Sequence, residues 1–553
     1  MPKSNIYKHQ SKKNDRRNVE VDNIHKYNEY TYKKYITRDE FSRDKDRILF
    51  SKAFRRLEHK AQIYSHERGD HFRTRLTHTL EVLQIAKSIA RNLGLNEDLT
   101  EAITLGHDIG HTPFGHQGER ILDQVMSGEN DLGIKQFYKV NYGGFKHNFN
   151  SLKVLDRIEV KYDDIDGLNL TWQVLEGILK HTGIKRSLRT WDLQRNILQD
   201  SNNNEFNHRL MDSMKYTSSI TLEGQIVAIA DEVTQRQHDL DDGMRDDKLN
   251  LRFEDVYKEI IKYIKNIRSN IENNESNTVY INQLLNLEDR LEARAKSGNI
   301  RYKKSALVRD IIEYFICDIT LASNYNIERV KPEDIEEEDD RITFKKKLID
   351  FSNIGYKLNE KLEKYIKYKI LNSYEVNRFD GKSSFIIRQL FKAYYSNPRQ
   401  MERDALHKLN LMISKNSKIY EIKLHECGLK IKDISFQESP PNEVDALINY
   451  LKLNIDLLKL NIPDNPNRPY TFYAYTEYTK QGNRGSYLSN KIINEINEYN
   501  LEKIEEDSNR KEELLFIKCM LEDHNAFLSV ICDYISGMTD NFAKYEYNQL
   551  YQV

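Results

Sequence analysis

Gly106-His107-Asp108-Ile109-Gly110-His111-Thr112-Pro113-Phe114-Gly115-His116-Gln117-Gly118-Glu119 sets three imidazoles and two carboxylates within fourteen residues. These are the side chains that bind metals and move protons. On a helical wheel His107 and Asp108 lie about 100° apart, so both reach one ion only if it sits over the edge they share. That leaves coordination positions for other helices to fill. His78, on the preceding amphipathic stretch, and Asp231, in Ala230-Asp231-Glu232, are the natural third and fourth ligands. A lone His-Asp doublet is commonplace. The ordered set His78, His107-Asp108, Asp231, with members one or two helices apart and small residues beside them, points to metal. Two imidazoles and two carboxylates suit Mn²⁺, Fe²⁺, Zn²⁺ or Mg²⁺, and ligand softness does not choose among them.

The motif sits in an anomaly of composition. Eight of the 16 histidines, His59, His66, His71, His78, His107, His111, His116 and His147, fall between residues 59 and 147, where an even spread would place about three. A buried imidazole gives up hydration for little packing, so such a cluster needs an ion, an anionic substrate or proton transfer to justify it. His59, His66 and His71 sit among charged residues and read as exposed. His111 and His147 read as site residues, against the alternative of helix-packing histidines.

Outward from there, nine prolines and 22 glycines punctuate 553 residues, and apolar residues recur at three- and four-residue spacing, so the fold class is all-α. Leu76, Leu80, Leu83, Ala86, Ile89, Ala90 and Leu93 form one stripe, with Gly94 as its left-handed stop and Asn96 as the cap of the next helix. Residues 168–180, 222–236, 308–321 and 525–536 read as further helices, and 415–436 and 470–477 as strand. The acidic run Glu333 to Asp340 reads as a solvated loop or helix start, and Ser201 to Asn204 as a surface turn.

With 85 Lys and Arg against 86 Asp and Glu, the net charge of −1 excludes a bulk attraction to polyanions. A composition 39% hydrophobic and 10% aromatic excludes wholesale disorder. Cys317, Cys427, Cys519 and Cys532 form no CxxC pair, which argues against a disulfide framework or a cysteine zinc site and fits a reducing cytoplasm. No apolar run approaches the roughly 18 residues of a membrane span, and residues 1–35 read as a polar, basic, mobile tail and not a secretory signal.

At this point the chain resembles the HD-domain phosphohydrolases, and within them the deoxyguanosinetriphosphate triphosphohydrolase-like dNTPases. The likeness rests on the ligand set and on Arg38-Asp39-Glu40-Phe41, Ala53-Phe54-Arg55-Arg56-Leu57, Lys60-Ala61-Gln62-Ile63, Arg73-Thr74-Arg75-Leu76-Thr77-His78, Gly143-Gly144-Phe145-Lys146-His147-Asn148, Leu175-Glu176-Gly177-Ile178-Leu179-Lys180-His181, Leu222-Glu223-Gly224-Gln225 and Val530 to Asp540. It implies a large helical HD-domain core over residues 36–400, an insertion of uncertain role over 401–524, and a C-terminal helix over 525–553 that completes the core. It also implies hydrolysis of dGTP or several dNTPs at the α-phosphate, giving deoxynucleoside and tripolyphosphate, with a divalent metal held by His78, His107, Asp108 and Asp231. His116 and Glu119 match the family's catalytic pair, with His111 beside them and His147 against the triphosphate. Arg75 matches a phosphate clamp, Arg55 and Arg56 being weaker candidates. Gln62 and Ile63 match positions at the sugar and base, and Asp239 would accept from the 3′-hydroxyl. Relatives assemble as tetramers or hexamers, often with nucleotide effectors, so a homo-oligomer with an allosteric dNTP effector is implied. Pool control or depletion of dNTPs against phage would be the role.

Two departures stand out. The tyrosine expected four residues after the last ligand is Gln235, which weakens the exclusion of a ribose, and Phe149-Asn150 replace the usual small residue and glutamine. Rival readings are another HD reaction, nucleotidase or phosphodiesterase, and a nucleotide-sensing or single-stranded nucleic-acid-binding protein using the aromatic-basic segment Tyr470 to Arg484.

Overall fold

The computed structural model describes residues 39–62, 72–134, 141–163, 166–184, 210–249, 251–270, 275–338, 341–406, 408 and 524–552. In chain order its helices are α1 (Glu40–Leu49), α2 (Lys52–Arg56), α3 (Arg75–Leu93), α4 (Glu97–Gly106), α5 (His116–Met126), α6 (His147–Lys153), α7 (Trp172–Lys180), α8 (Leu222–Arg245), α9 (Phe253–Ser269), α10 (Glu275–Ala295), α11 (Ile300–Glu328), α12 (Asn353–Ile366), α13 (Tyr374–Ser396), α14 (524–536) and α15 (Asp540–Tyr551). The all-α reading holds. The expected tail at 1–35, Ile63, His66, His71, the turn at 201–204, nearly all of 401–524 with its expected strands, and Tyr470 to Arg484 lie outside the described residues.

Local signals set the helix ends around the site. Thr74 and Thr77 close a capping box at the start of α3, each hydroxyl accepting from the other's backbone N–H. Gly94 ends α3 at φ 66°, and the Asn96 side chain accepts from Leu99 N to start α4. The expected stripe on α3 needs one correction: Leu80 is 44% exposed. Over its first turns the buried face of α3 belongs instead to Arg75, His78, Thr79 and Val82, because that end of the helix borders a polar cluster and not the apolar core.

The described residues fall into two compact units. One spans the chain to His116 and Lys146–Ser383; the other joins Gln117–Phe145 to Ser384–Val553. In the first unit α8 is the axis, packed by α3, α4, α7, α11 and α12. Ile85 and Ile89 of α3, Ile229 and Val233 of α8, Phe315 of α11 and Leu358 of α12 share one apolar cluster; Phe41 of α1, Ile103 of α4, Phe149 of α6 and Ile178 of α7 share another. Neighbouring Ile226 and Val227 of α8 belong to different clusters. Each such side chain contributes about 1.5–3 kcal/mol on burial, so α8 is held from both sides.

The acidic run differs from expectation. Pro332–Asp334 is a 3₁₀ turn, and Ile335–Glu338 (β1) pairs antiparallel with Arg341–Phe344 (β2). The reason lies in the alternation of β2: Ile342 and Phe344 are buried in the apolar core, and Ile335, opposite Phe344, packs against it. In the second unit Tyr142 OH bonds His524 Nδ1 of α14 at 2.7 Å, and Tyr395 of α13 stacks on Phe527. Among the described residues no helix is long and apolar enough to cross a membrane.

Candidate active site

α4 ends at Gly106, and its C-cap His107 keeps helical angles of φ −60° and ψ −42°, so His107 and Asp108 follow directly from the helix end. His107 is fully buried; its Nδ1 donates to Thr104 O at 2.6 Å, so Nε2 faces inward. That Nε2 has no hydrogen-bond partner. Asp108 Oδ1 stands 3.5 Å and Asp231 Oδ1 3.7 Å from it. From α3, His78 Nε2 reaches Asp231 Oδ1 at 2.9 Å. Ligand atoms of His78, His107 and Asp108 all lie within 4.8 Å of one another. Donors bound to one ion at about 2.0–2.2 Å stand roughly 3 Å apart, so the set fits a divalent ion with little movement.

The electrostatics ask for a cation at the same point. Burial alone would lower the His107 imidazole, yet Asp108 and Asp231 raise it to about 9. Burial would raise Asp108, but His107, His111 and Arg75 hold its carboxyl well below the usual range, and His107 and His78 do the same for Asp231. Two ionised carboxylates surround an orphaned ring nitrogen. A divalent ion satisfies all three.

A second group of imidazoles lies alongside. His111, one turn after Asp108, donates from Nε2 to its Oδ1 at 3.0 Å and stacks on His147 with ring centres 3.8 Å apart. His147 Nε2 meets His181 Nε2 at 3.2 Å, and His181 Nδ1 donates to Ile178 O, which makes His181 the acceptor. Burial, then the Arg75 and His147 charges, push His111 well below the imidazole range; burial, then His107 and His147, push His181 down to about 4. The rings of His111 and His116 lie 5.5 Å apart. Glu119 is buried one turn after His116 on α5.

Close approach by α6 makes this stack. A Cβ on Gly110 would lie 2.1 Å from Ser151 N and 2.3 Å from His147 O, so only glycine admits the helix there. Ser151 Oγ then bonds His107 O and Gly110 N, and Asn150 donates to Gly110 O. The departure at 149–150 therefore has separate outcomes: Phe149 is core, and Asn150 holds the motif's backbone. Beyond the turn, Phe114 and Gly115 sit at φ 62° and 58°, the former a strained value for an aromatic residue. They redirect the chain before His116.

Arg75 is buried, and its Nη1 donates to Asp108 Oδ2 at 2.8 Å while Nε has no partner. Lys60 donates to His111 O beside it. Gln62 has an orphaned buried Oε1. Arg56 pairs with Glu159 at 3.6 Å, and Arg55 is exposed. Gln235 is partly buried on α8. Asp239 is buried with Oδ1 unpartnered; burial, then Asp242, raise it to about 8, so it is protonated at neutral pH. The sequence reading missed three participants. His181 closes the run Leu175 to His181 without an assigned part, His238 is two turns beyond Asp231, and Glu81 is one turn beyond His78; spacing of i+3 and i+7 from named ligands was the available signal.

A helical fold whose helix ends gather two imidazoles and two carboxylates in the order His, His-Asp, Asp defines an HD-domain phosphohydrolase. Residues 75–235 match the HD domain, and residues 478–549 the phosphohydrolase-associated domain, which reaches back into the stretch read as an insertion. A deoxyguanosinetriphosphate triphosphohydrolase-like protein of Geobacter metallireducens is 33% identical over 68% of this chain and 82% of its own length. Proteins of the same name from Nitrobacter hamburgensis and Ralstonia pickettii are 34% and 36% identical over 82% and 79% of theirs. The chain belongs to this deoxyguanosinetriphosphate triphosphohydrolase-like family.

Proposed function

We propose that the protein hydrolyses deoxynucleoside triphosphates at the α-phosphorus, releasing deoxynucleoside and tripolyphosphate. The observation that carries this reading is the adjacency of the cation-demanding cluster to a stack of imidazoles, in a chain whose named relatives are triphosphohydrolase-like. His78, His107, Asp108 and Asp231 hold a divalent ion, Mn²⁺, Mg²⁺, Fe²⁺ or Zn²⁺. When bound, such an ion supplies charge to the phosphate oxygens and acidity to a water.

The chain's own groups do the rest. Glu119 orients His116, which takes the proton of the attacking water or delivers one to the leaving 5′-oxygen. His111 and His147 border the phosphates, His147 being aligned by His181. Arg75 offers its unpartnered Nε to a phosphate oxygen while Nη1 keeps Asp108 in place. Gln62 and Ile63 meet sugar and base. Asp239, protonated, donates to or shares the 3′-hydroxyl, and Gln235 lies at the 2′ edge. Assembly as a homo-oligomer with a dNTP effector belongs to the same reading.

Chromatography of products from each dNTP and rNTP, with Mn²⁺ and with Mg²⁺, tests it. Tripolyphosphate with nucleoside is expected. Pyrophosphate with nucleoside monophosphate would sink the reading.

A further inference from the structure

We infer that Glu81 and His238 are positioning residues that dictate which nitrogen of His78 carries the proton, and so keep Nε2 of His78 available as a ligand. The inference rests on the metal-site reading above. His78 Nδ1 and His238 Nδ1 lie 3.0 Å apart, and His238 Nε2 meets Glu81 Oε2. Both rings are buried. A carboxylate only accepts, so His238 Nε2 must carry a hydrogen. A neutral ring then leaves Nδ1 as a lone pair, which obliges His78 Nδ1 to donate. That leaves His78 Nε2 as the nitrogen free to hold an ion, and its 2.9 Å separation from Asp231 Oδ1 is the spacing of two donors to one centre. One carboxylate fixes two tautomers in series, across α3 and α8.

The anchor is itself held. Arg73 Nε donates to Glu81 Oε1 at 3.1 Å, and Arg73 Nη1 to Asp242 Oδ1 at 2.6 Å, one turn beyond His238 on α8. The same guanidinium thus aligns Glu81 with the helix that carries His238. A role in packing alone would not require this order of donors and acceptors: a phenyl ring would fill the same space.

The test is the affinity of the full-length protein for Mn²⁺ alone, by equilibrium dialysis, with metal-free thermal midpoints as a check of folding. His238→Phe should bind Mn²⁺ about 10- to 100-fold more weakly. His238→Gln, which can accept from His78 and donate to Glu81, should recover most of that loss. Glu81→Leu should fall between them, and its side chain is 44% exposed, so it should fold. Wild-type affinity in both His238→Phe and Glu81→Leu overturns the inference; should His238→Phe not fold, wild-type affinity in Glu81→Leu alone does so. Asp108→Ala is the zero. If the wild type binds no more Mn²⁺ than that variant, the metal-site reading falls and takes this one with it, whereas a binding wild type with unaffected variants removes only the part played by Glu81 and His238.

Discussion

Two groups of imidazoles lie side by side at the end of α4, and they differ in their company. His78 and His107 face carboxylates, and His107 is pushed up to about 9 by them; His111 and His181 face mostly other rings and Arg75, and burial pushes them down. The first group gathers two ionised carboxylates around the His107 ring, a donor set that fits a divalent ion. In the second, His111 stacks on His147, and His147 meets His181 at 3.2 Å. Asp108 serves both, with Oδ1 toward His107 and His111 and Oδ2 bonded to Arg75. One motif therefore builds two environments because its residues leave a helix end in different directions.

Asp108→Ala should break the comparison outright. Losing the shared carboxylate should abolish Mn²⁺ binding and reduce turnover about a thousandfold or more, several kcal/mol of barrier, measured by dialysis and initial rates. Next, His116→Ala and His147→Ala should cut kcat about a hundredfold while Mn²⁺ affinity stays at the wild-type value. Loss of metal in either would erase the distinction between the groups. Gly110→Ala forces α6 away from the motif and should cost about 1–3 kcal/mol in a denaturation midpoint, with both metal affinity and kcat reduced. Asp239→Asn probes the neutral edge of the site. Its folded pKa is raised, so it stabilises most below about pH 4 and loses that contribution as pH rises through about 8. The variant should lack that fall, gaining roughly 2 °C of midpoint over wild type at pH 8 relative to pH 5.

Helices were legible because their caps and periodicity are local. Gly94 and Asn96 mark the junction of α3 and α4 as read, and the ligand set was visible because its residue types have few other uses in that order. Leu80 was misread since periodicity reports an amphipathic face without saying that part of it faces a polar cluster. β1 was hidden by its run of glutamates, and its one apolar residue, Ile335, gains meaning only opposite Phe344. His181, His238 and Glu81 were overlooked because their parts depend on neighbours from other helices.

The bond between His78 and Asp231 joins residues 153 positions apart. Contacts of such long range form late, after the intervening helices have given the chain a surface to close upon. A nascent polypeptide that has released α3 to α7 carries His78, His107 and Asp108 but not Asp231, the fourth of the proposed ligands. The cluster is complete only when α8 has emerged and docked against α3.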